Sequence, residues 1–188
     1  MARESKTRYA VLGILAQGPR SGYEIRKIIE GSIGYFWQES YGQLYPVLKR
    51  LAAEKAVAVR EVEQQGRPDK KVYTITAGGL AQLQEWLPEP QERSPLRDEL
   101  LLKLFFGRLT EPESLIPLLE SEKSEALRLH ETLRGIKKQL QRGCEHGAAL
   151  YSLMTVNYGI RYMKMQADWA KECLQELNAQ IKTGGKEK

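Results

Sequence analysis

The sequence predicts a mostly α-helical protein, in which a winged helix-turn-helix domain with a small β-hairpin wing precedes a coiled-coil-like helical domain. Three observations support this prediction. Three helical segments and then a β-rich hairpin fill the first part of the chain, a proline-rich linker follows, and only helical periodicity marks the rest. The 188 residues therefore divide into two domains, residues 1–90 and residues 91–188.

The first two helices are short and have clear end signals. Gly18 and Pro19 end the first helix. Ser21 and Glu24 have the spacing of a capping box, in which each side chain bonds the other residue's backbone N–H, so the second helix is predicted to begin here. Gly31 and Gly34 are expected to break this helix.

The third helix has two chemically different faces. At 100° per residue, Leu44, Leu48 and Leu51 fall on one arc, which predicts a core-facing side. The opposite arc is aromatic, polar and basic, as expected of a binding surface. From this helix and its borders we select five candidate binding residues: Tyr41, Gln43, Tyr45, Lys49 and Arg50.

The period then changes from helical to extended over residues 57–64 and 72–76, which predicts a β-hairpin. Its turn carries three cations, Arg67, Lys70 and Lys71. The helix-helix-helix-hairpin order is that of a winged helix, whose third helix enters the DNA major groove while the hairpin lies along the backbone. These cations and those of the third helix are predicted to neutralise phosphates, although either cluster alone is more typical of a solvated surface. Thr76 should cap a fourth helix that buries Leu80, Leu83 and Leu87, with Trp86 beside them.

Helices alone are predicted beyond the linker at Pro88–Pro95. The segment 97–109 is apolar on most sides and is expected to be buried on several of them. Thr110 and Glu113 have capping-box spacing, and a coiled-coil seam follows. This seam offers more apolar surface than the last helix, 148–181, needs, so residues 91–188 are predicted to form a homodimer, with a hairpin closed within one chain as the alternative. The predicted dimerisation residues are Leu100, Leu104, Leu115, Leu119, Leu129, Leu133, Ile136 and Leu140.

A stripe of aromatic and methionine side chains runs along the last helix. Its members are Tyr151, Met154, Tyr158, Tyr162, Met165 and Trp169. Such stripes usually belong to a core, but buried tyrosine hydroxyls each need a hydrogen-bond partner. The alternative is an effector site for a small aromatic acid, with Arg161 or Lys164 near its carboxylate.

No motif of an enzyme or a cofactor site is present. His130 and His146 lie apart from any group with metal-ligand spacing, and phosphate-binding and nucleophile motifs are absent, so we predict neither an enzyme nor a cofactor. The net charge of +5 weakly favours an anionic partner. Cys144 and Cys173 are expected to be free thiols. No apolar run could span a membrane and no signal peptide is recognisable, which predicts a cytoplasmic protein without a membrane partner.

Several segments resemble the PadR family of bacterial transcriptional regulators. They are TRYAVLGILAQGPRSGYEIRKII, FWQESYGQLYPVLKRL and GRPDKKVYTITAGGLAQLQEWL, in which LYPxLxRL and YxIT are the most specific elements. RDELLLKLFFGRL and the final helices resemble the C-terminal domain of longer members, which is related to virulence-gene activators. The chain departs from the family after Glu54-Lys55, where Ala-Val-Ala replaces a Gly-Leu-Ile-like junction.

The resemblance implies a dimeric winged helix that binds double-stranded DNA and usually represses transcription. Small aromatic or hydrophobic effectors release some members from DNA. A two-fold dimer would recognise a pseudo-palindromic operator, because it presents two recognition helices. A coiled-coil scaffold whose winged helix binds protein is the alternative function.

Overall fold

The computed structural model describes residues 6–37, 41–62, 70–92, 97–143 and 149–184. The chain forms two compact units, Met1–Arg93 and Ser94–Lys188. In the first unit the elements are α1 (Thr7–Leu15), β1 (Arg20–Ser21), α2 (Gly22–Ile28), α3 (Tyr41–Ala53), β2 (Val57–Val62), β3 (Lys70–Ile75) and α4 (Ala77–Trp86). In the second they are α5 (Glu99–Phe105), α6 (Ile116–Gly143) and α7 (Leu150–Gly184). The predicted fold class, a winged helix followed by a helical domain, is confirmed.

The predicted capping box opens α2, and of the two breaks predicted at its end only the one at Gly34 is found. The Glu24 N–H donates to Ser21 Oγ, and the Ser21 N–H donates to the Glu24 carboxylate at 2.7 Å. Instead of ending before Gly31, the chain continues as a π-helical turn over Ile29–Ile33. The N–H of Gly34 closes this turn on the Ile29 carbonyl. The wider π-helical turn keeps the chain helical past Gly31, so this glycine alone does not end the helix.

The wing belongs to a three-stranded antiparallel sheet in which β3 is central, in the order β1-β3-β2. The hairpin of β2 and β3 was predicted, whereas β1 was not, because two residues are too few to show a period. Ser21 of β1 lies opposite Val72 of β3, and Val59 of β2 lies opposite Tyr73. The wing is therefore hydrogen-bonded to the segment that leads directly into α2.

The core of the first unit is aliphatic. Its most deeply buried side chains are Val11, Leu12, Leu15, Ile25, Leu48 and Leu51. Helix α4 contributes Leu83, but Leu80 and Leu87, which we expected to be buried, are 39% and 64% exposed. Trp86 instead stacks on Tyr9 of α1, with ring centroids 4.2 Å apart. Leu83 and Trp86 attach α4 to the core, while Leu80 and Leu87, the residue that follows the helix, stay in solvent.

Thr76 joins the end of α3, the start of β2 and the start of α4. Its hydroxyl donates to the carbonyls of Lys55 and Ala56, at 2.8 and 3.0 Å, and accepts from the N–H of Gly79. Lys55 has a φ of 58°, the left-handed conformation that glycine adopts at less cost. The unusual junction after Glu54 therefore carries a lysine where the backbone favours glycine.

In the second unit, α6 and α7 form a long antiparallel pair. Leu119 of α6 packs with Ala170 and Leu174 of α7, and Leu100 and Leu104 of α5 join this cluster. The predicted capping box of Thr110 and Glu113 is absent. Pro112 begins a 3₁₀ turn over Pro112–Leu115, and Thr110 Oγ instead lies 3.0 Å from Ser114 Oγ. No helix among the described residues has the length and apolarity to cross a membrane.

Candidate nucleic-acid interface

The amphipathic character of α3 is as the sequence indicated. Leu44, Leu48 and Leu51 are at most 5% exposed and pack into the core. The side chains of Gln43, Tyr45, Pro46, Lys49 and Arg50 on the opposite arc are exposed. One continuous strip of α3 is therefore free to meet a partner.

The two cations of this strip are not neutralised within the described part of the chain. Neither Lys49 nor Arg50 has an ion pair or hydrogen bond with any residue that the structure describes. Their charges can therefore meet an anion such as a phosphate without first breaking an internal pair.

The two wing lysines are placed differently. Lys70 Nζ lies 3.2 Å from Glu24 Oε1, and Lys71 Nζ lies 3.2 Å from Glu61 Oε1. Successive side chains of a strand point to opposite faces, so the two lysines serve different faces of the hairpin. Both were predicted as phosphate contacts, and both already have a carboxylate partner. Two other predicted DNA contacts, Arg67 and the side chain of Tyr41, lie outside the described part of the structure.

Glu24 is held as a carboxylate by its surroundings. Hydrogen bonds from the Ser21 hydroxyl and backbone N–H, with a further contribution from Lys70, lower its pKa to about 2. Glu24 is therefore negatively charged at neutral pH, and Lys70 always faces an anion there.

Tyr45 ties the exposed strip of α3 to α2 and to the sheet. Gly22 of α2 leaves room for its ring, since a Cβ on Gly22 would lie 2.9 Å from Tyr45 Cε1. Burial raises the pKa of Tyr73 on β3, Lys71 opposes that shift, and the neighbouring Tyr45 adds to it. The Tyr45 side chain is still 57% exposed. One side of the ring therefore packs against the protein, and the other side remains accessible.

Arg60 is a wing cation that the sequence analysis missed. It lies on β2 opposite Val72, is exposed, and has no partner among the described residues. By strand alternation it shares the Lys70 face of the hairpin. Its position within the β-rich run, rather than in the turn, hid it from a search for basic turn residues.

The predicted dimerisation residues fall into two groups. Leu115, Leu119 and Leu133 are buried within one chain. Their burial fits the alternative that we considered, a helical hairpin closed within a single chain. Leu100, Leu104, Leu129, Ile136 and Leu140 are half-buried. Other apolar side chains in and just after α5, a segment that we expected to be buried on several sides, are more exposed in one chain than either group. These are Leu101, Leu102, Phe105, Phe106 and Leu109, between 42% and 79% exposed.

Most of the aromatic stripe of α7 lies outside the core of a single chain, although Trp169 packs against the cluster of Leu119, Ala170 and Leu174. Tyr151, Met154, Tyr158 and Met165 are between 52% and 75% exposed, while Tyr162 and Trp169 are half-buried. The buried face of α7 consists of smaller or aliphatic residues such as Val156, Ala167 and Ala170. A helix of 35 residues has room for both faces, and the sequence period alone did not show which one is covered.

A shallow groove of about 680 Å³ borders this stripe. Met165 and Trp169 line it from α7, and His130 lines it from α6. Arg161 also lines the groove and has no partner among the described residues, whereas Lys164 pairs with Asp168. The groove thus places the unpaired Arg161 near an aromatic wall, together with two carboxylates, Asp168 and Glu172.

The described residues show no cluster of three or more metal-ligating side chains. Cys173 is a half-buried free thiol whose pKa is raised by burial, and Cys144 lies outside the described residues.

Two family models match the chain. The transcriptional regulator PadR-like family matches residues 11–85, and the virulence activator alpha C-terminal family matches residues 96–178. The "Probable transcriptional regulator Rv1176c" of Mycobacterium tuberculosis is 32% identical over 181 residues, which cover 90% of this chain and 96% of that protein. The "Negative transcriptional regulator PadR" of Bacillus subtilis is 37% identical over 100 residues, covering 53% of this chain and 55% of that protein.

Solved structures show the same architecture over nearly the whole chain. Bacillus subtilis PadR in complex with operator DNA has a TM-score of 0.79 at 25% identity, covering 93% of this chain and 99% of that one. The Vibrio cholerae virulence activator AphA has a TM-score of 0.71 at 26% identity, covering 92% and 98%. Bacillus subtilis PadR has also been solved with p-coumaric acid, and at 24% identity that structure supports the fold alone.

Proposed function

Because this chain belongs to the PadR-like family of transcriptional regulators, we propose that it binds a specific operator in double-stranded DNA as a homodimer. One observation carries the proposal. The exposed strip of α3 presents Lys49 and Arg50 without a partner among the described residues, in the same unit as a β-hairpin wing. The family consists of transcriptional regulators, not enzymes.

In the proposed complex α3 enters the major groove, which is wide enough to admit a helix. Gln43 and Arg50 have side chains suited to base edges, since glutamine pairs with adenine and arginine with guanine. Lys49 and the wing cations Arg60, Arg67 and Lys71 neutralise phosphates. Lys71 does so by leaving its ion pair with Glu61 and pairing with a phosphate instead. Tyr41 and Tyr45 add hydroxyl contacts.

A second copy of the chain is the proposed occupant of the exposed apolar surface around α5. Phe105 and Leu109 are 79% and 73% exposed in one chain, and such a cluster of large side chains is typical of an interface. The homodimer would place two α3 helices on half-sites about one helical turn, or a multiple of it, apart.

Repression relieved by a small aromatic effector is the proposed mode of regulation. The Bacillus subtilis relative is named a negative regulator, whereas the Vibrio cholerae neighbour is named an activator. Transcription from the target promoter with and without the protein therefore distinguishes repression from activation. The tyrosine stripe of α7 and the adjoining groove, with Arg161 near Trp169, offer stacking surfaces and a cation for an aromatic acid.

The deciding experiment is selection of genomic DNA fragments by the purified protein, followed by titration of the retained duplex at several salt concentrations. Arg50→Ala should lower affinity for the operator and relax its sequence specificity, and Lys49→Ala should lower affinity and reduce the slope of log K against log salt by about one. Lys138→Ala, which removes an exposed cation from α6, is the matched control and should leave both unchanged. If the wild type binds without salt dependence, or captures no DNA, the scaffold function replaces this proposal.

A further inference from the structure

We propose that Glu24 is a positioning residue for the wing, and that Lys70 serves DNA binding by pairing with Glu24 rather than by contacting a phosphate. The inference rests on the proposed DNA-binding function. It assigns different roles to two adjacent lysines that are indistinguishable in the sequence.

The Glu24 carboxylate is fixed before it meets Lys70. Its Oε2 accepts the N–H and the hydroxyl of Ser21, both at 2.7 Å, as part of the α2 capping box. Its other oxygen, Oε1, accepts from Lys70 Nζ at 3.2 Å. A carboxylate held by two local bonds loses little further freedom when it forms the third, so the ion pair is preorganised.

The Glu24–Lys70 pair lies beyond the last backbone pairing between the wing and the segment that leads into α2. Strand β1 pairs with β3 only at Tyr73 and Val72, through Arg20 and Ser21. Lys70 lies two residues beyond Val72, at the start of β3 and toward the hairpin turn. The Glu24–Lys70 contact therefore extends the attachment of the wing to α2 past the last strand pairing.

Lys71 cannot perform this role. Its partner Glu61 is the residue opposite it on β2, so that pair lies entirely within the hairpin. It stabilises the hairpin but leaves the orientation of the hairpin toward α2 unchanged. The side chains of this pair are 59% and 65% exposed, against 35% and 43% for Lys70 and Glu24, so Lys71 is the more accessible to a phosphate.

The expected effect on DNA binding follows from preorganisation. Without the Glu24–Lys70 pair the hairpin spends less time in the orientation that DNA requires, and the apparent Kd rises in proportion. The number of phosphate contacts in the complex stays the same, so the salt dependence of binding should not change.

The test uses the full chain and the DNA duplex that the wild type retains. Lys70→Met and Glu24→Gln should each weaken binding about two- to fivefold, the range that partly exposed ion pairs supply. Their salt slopes should equal that of the wild type, and the double variant should bind no more weakly than either single variant. Lys71→Met is the matched control and should instead reduce the slope by about one.

The opposite pattern would overturn the proposal: a reduced slope for Lys70→Met, and an effect that adds to that of Glu24→Gln. Should Glu24→Gln weaken the α2 cap itself, amide hydrogen exchange of residues 70–73 decides with the cap intact, since Lys70→Met should accelerate it more than Lys71→Met does. Equal exchange in both lysine variants contradicts the positioning role. A wild type that lacks salt-dependent DNA binding would instead refute the proposed function.

Discussion

The ring of Tyr45 on α3 lies against the backbone of Gly22 on α2, so closely that a Cβ on Gly22 would come within 2.9 Å of Tyr45 Cε1. Glycine at this position lets the ring rest on the helix backbone and still leaves 57% of the side chain exposed. The contact links the residue that opens α2 to a candidate DNA contact, and it suggests a substitution that separates stability from binding.

Gly22→Ala should weaken DNA binding more than it weakens the fold. Alanine is favoured over glycine in a helix by about 0.5–1 kcal/mol, which offsets part of the steric cost of displacing the Tyr45 ring. We expect a melting temperature within a few degrees of wild type and a clear loss of operator affinity. Gly13→Ala, where an added Cβ meets nothing within 4 Å, is the control and should stabilise α1 without changing affinity. Equal affinity in both variants would show that the position of Tyr45 does not matter to DNA.

Gly78 and Gly79 on α4 should respond in opposite ways to alanine. A Cβ on Gly79 would lie 2.1 Å from the backbone carbonyl oxygen of Ala56, which cannot move without disturbing the bonds of Thr76. Overpacking against a fixed backbone costs about 1–3 kcal/mol or more. On Gly78 the nearest atom would be Thr76 Oγ1 at 3.7 Å, so alanine should stabilise the helix slightly. Thermal and urea unfolding of the two variants checks this, and comparable stability would contradict the close approach.

Local chemistry explains what the sequence made predictable. The capping box of Ser21 and Glu24, the arc of Leu44, Leu48 and Leu51, and the cap at Thr76 each depend on neighbours a few residues away. Such short-range patterns fixed the order of the elements and the exposed face of α3. The resemblance to the PadR family then gave the function that the periodicity could not.

Contacts between distant segments explain what was missed. Lys70 and Glu24 are 46 residues apart, and their pairing depends on β1, a strand too short to leave a pattern. The exposure of Leu87 and Phe105 depends on which face of a helix finds a partner. An apolar count shows that a helix has something to bury, but not whether its own chain or another covers it.

Substitution of Phe105 should dissociate the proposed homodimer. Its side chain is 79% exposed in a single chain, so Phe105→Ser should leave the fold of the monomer intact and improve its solubility. Loss of a central aromatic contact typically costs at least about 2 kcal/mol of association, roughly a thirtyfold rise in the dimer Kd. Sedimentation over a concentration series measures the change, and operator affinity should fall with it. Leu127→Ser, which replaces a 47% exposed leucine of α6, is the matched control.

A truncation after Pro90 removes the α5 surface and so tests the same proposed interface. The remaining winged helix keeps its own core, so it should fold as a monomer and bind the operator weakly. If this fragment sediments as a tight dimer, or if Phe105→Ser leaves the full chain dimeric, the α5 surface is not the main contact.

Small aromatic acids should bind beside Tyr158 and Arg161, next to the groove that Trp169 lines, and release the operator. Tyr158 and Tyr162 lie nearly parallel, at an interplanar angle of 7° with centroids 6.0 Å apart, and Tyr158 is 62% exposed. A phenolic ring can extend such a stack while its carboxylate reaches Arg161. Relief of repression further requires that the ligand bind the DNA-incompetent state more tightly than the competent one. We therefore expect p-coumaric acid to change Trp169 fluorescence and to lower operator affinity at the same concentrations.

Three variants separate this site from an indirect effect. Trp169→Phe should abolish the fluorescence change and thereby assign it, because Trp37 and Trp86 lie in the other unit. Tyr158→Ala should abolish both the fluorescence change and the loss of DNA affinity, because it removes the ring on which the ligand stacks. Arg161→Met should weaken binding of the acid about tenfold or more, in line with the loss of a charge-assisted hydrogen bond, yet leave binding of the neutral 4-vinylphenol unchanged. If Tyr158→Ala responds to p-coumaric acid as the wild type does, the stripe is not an effector site.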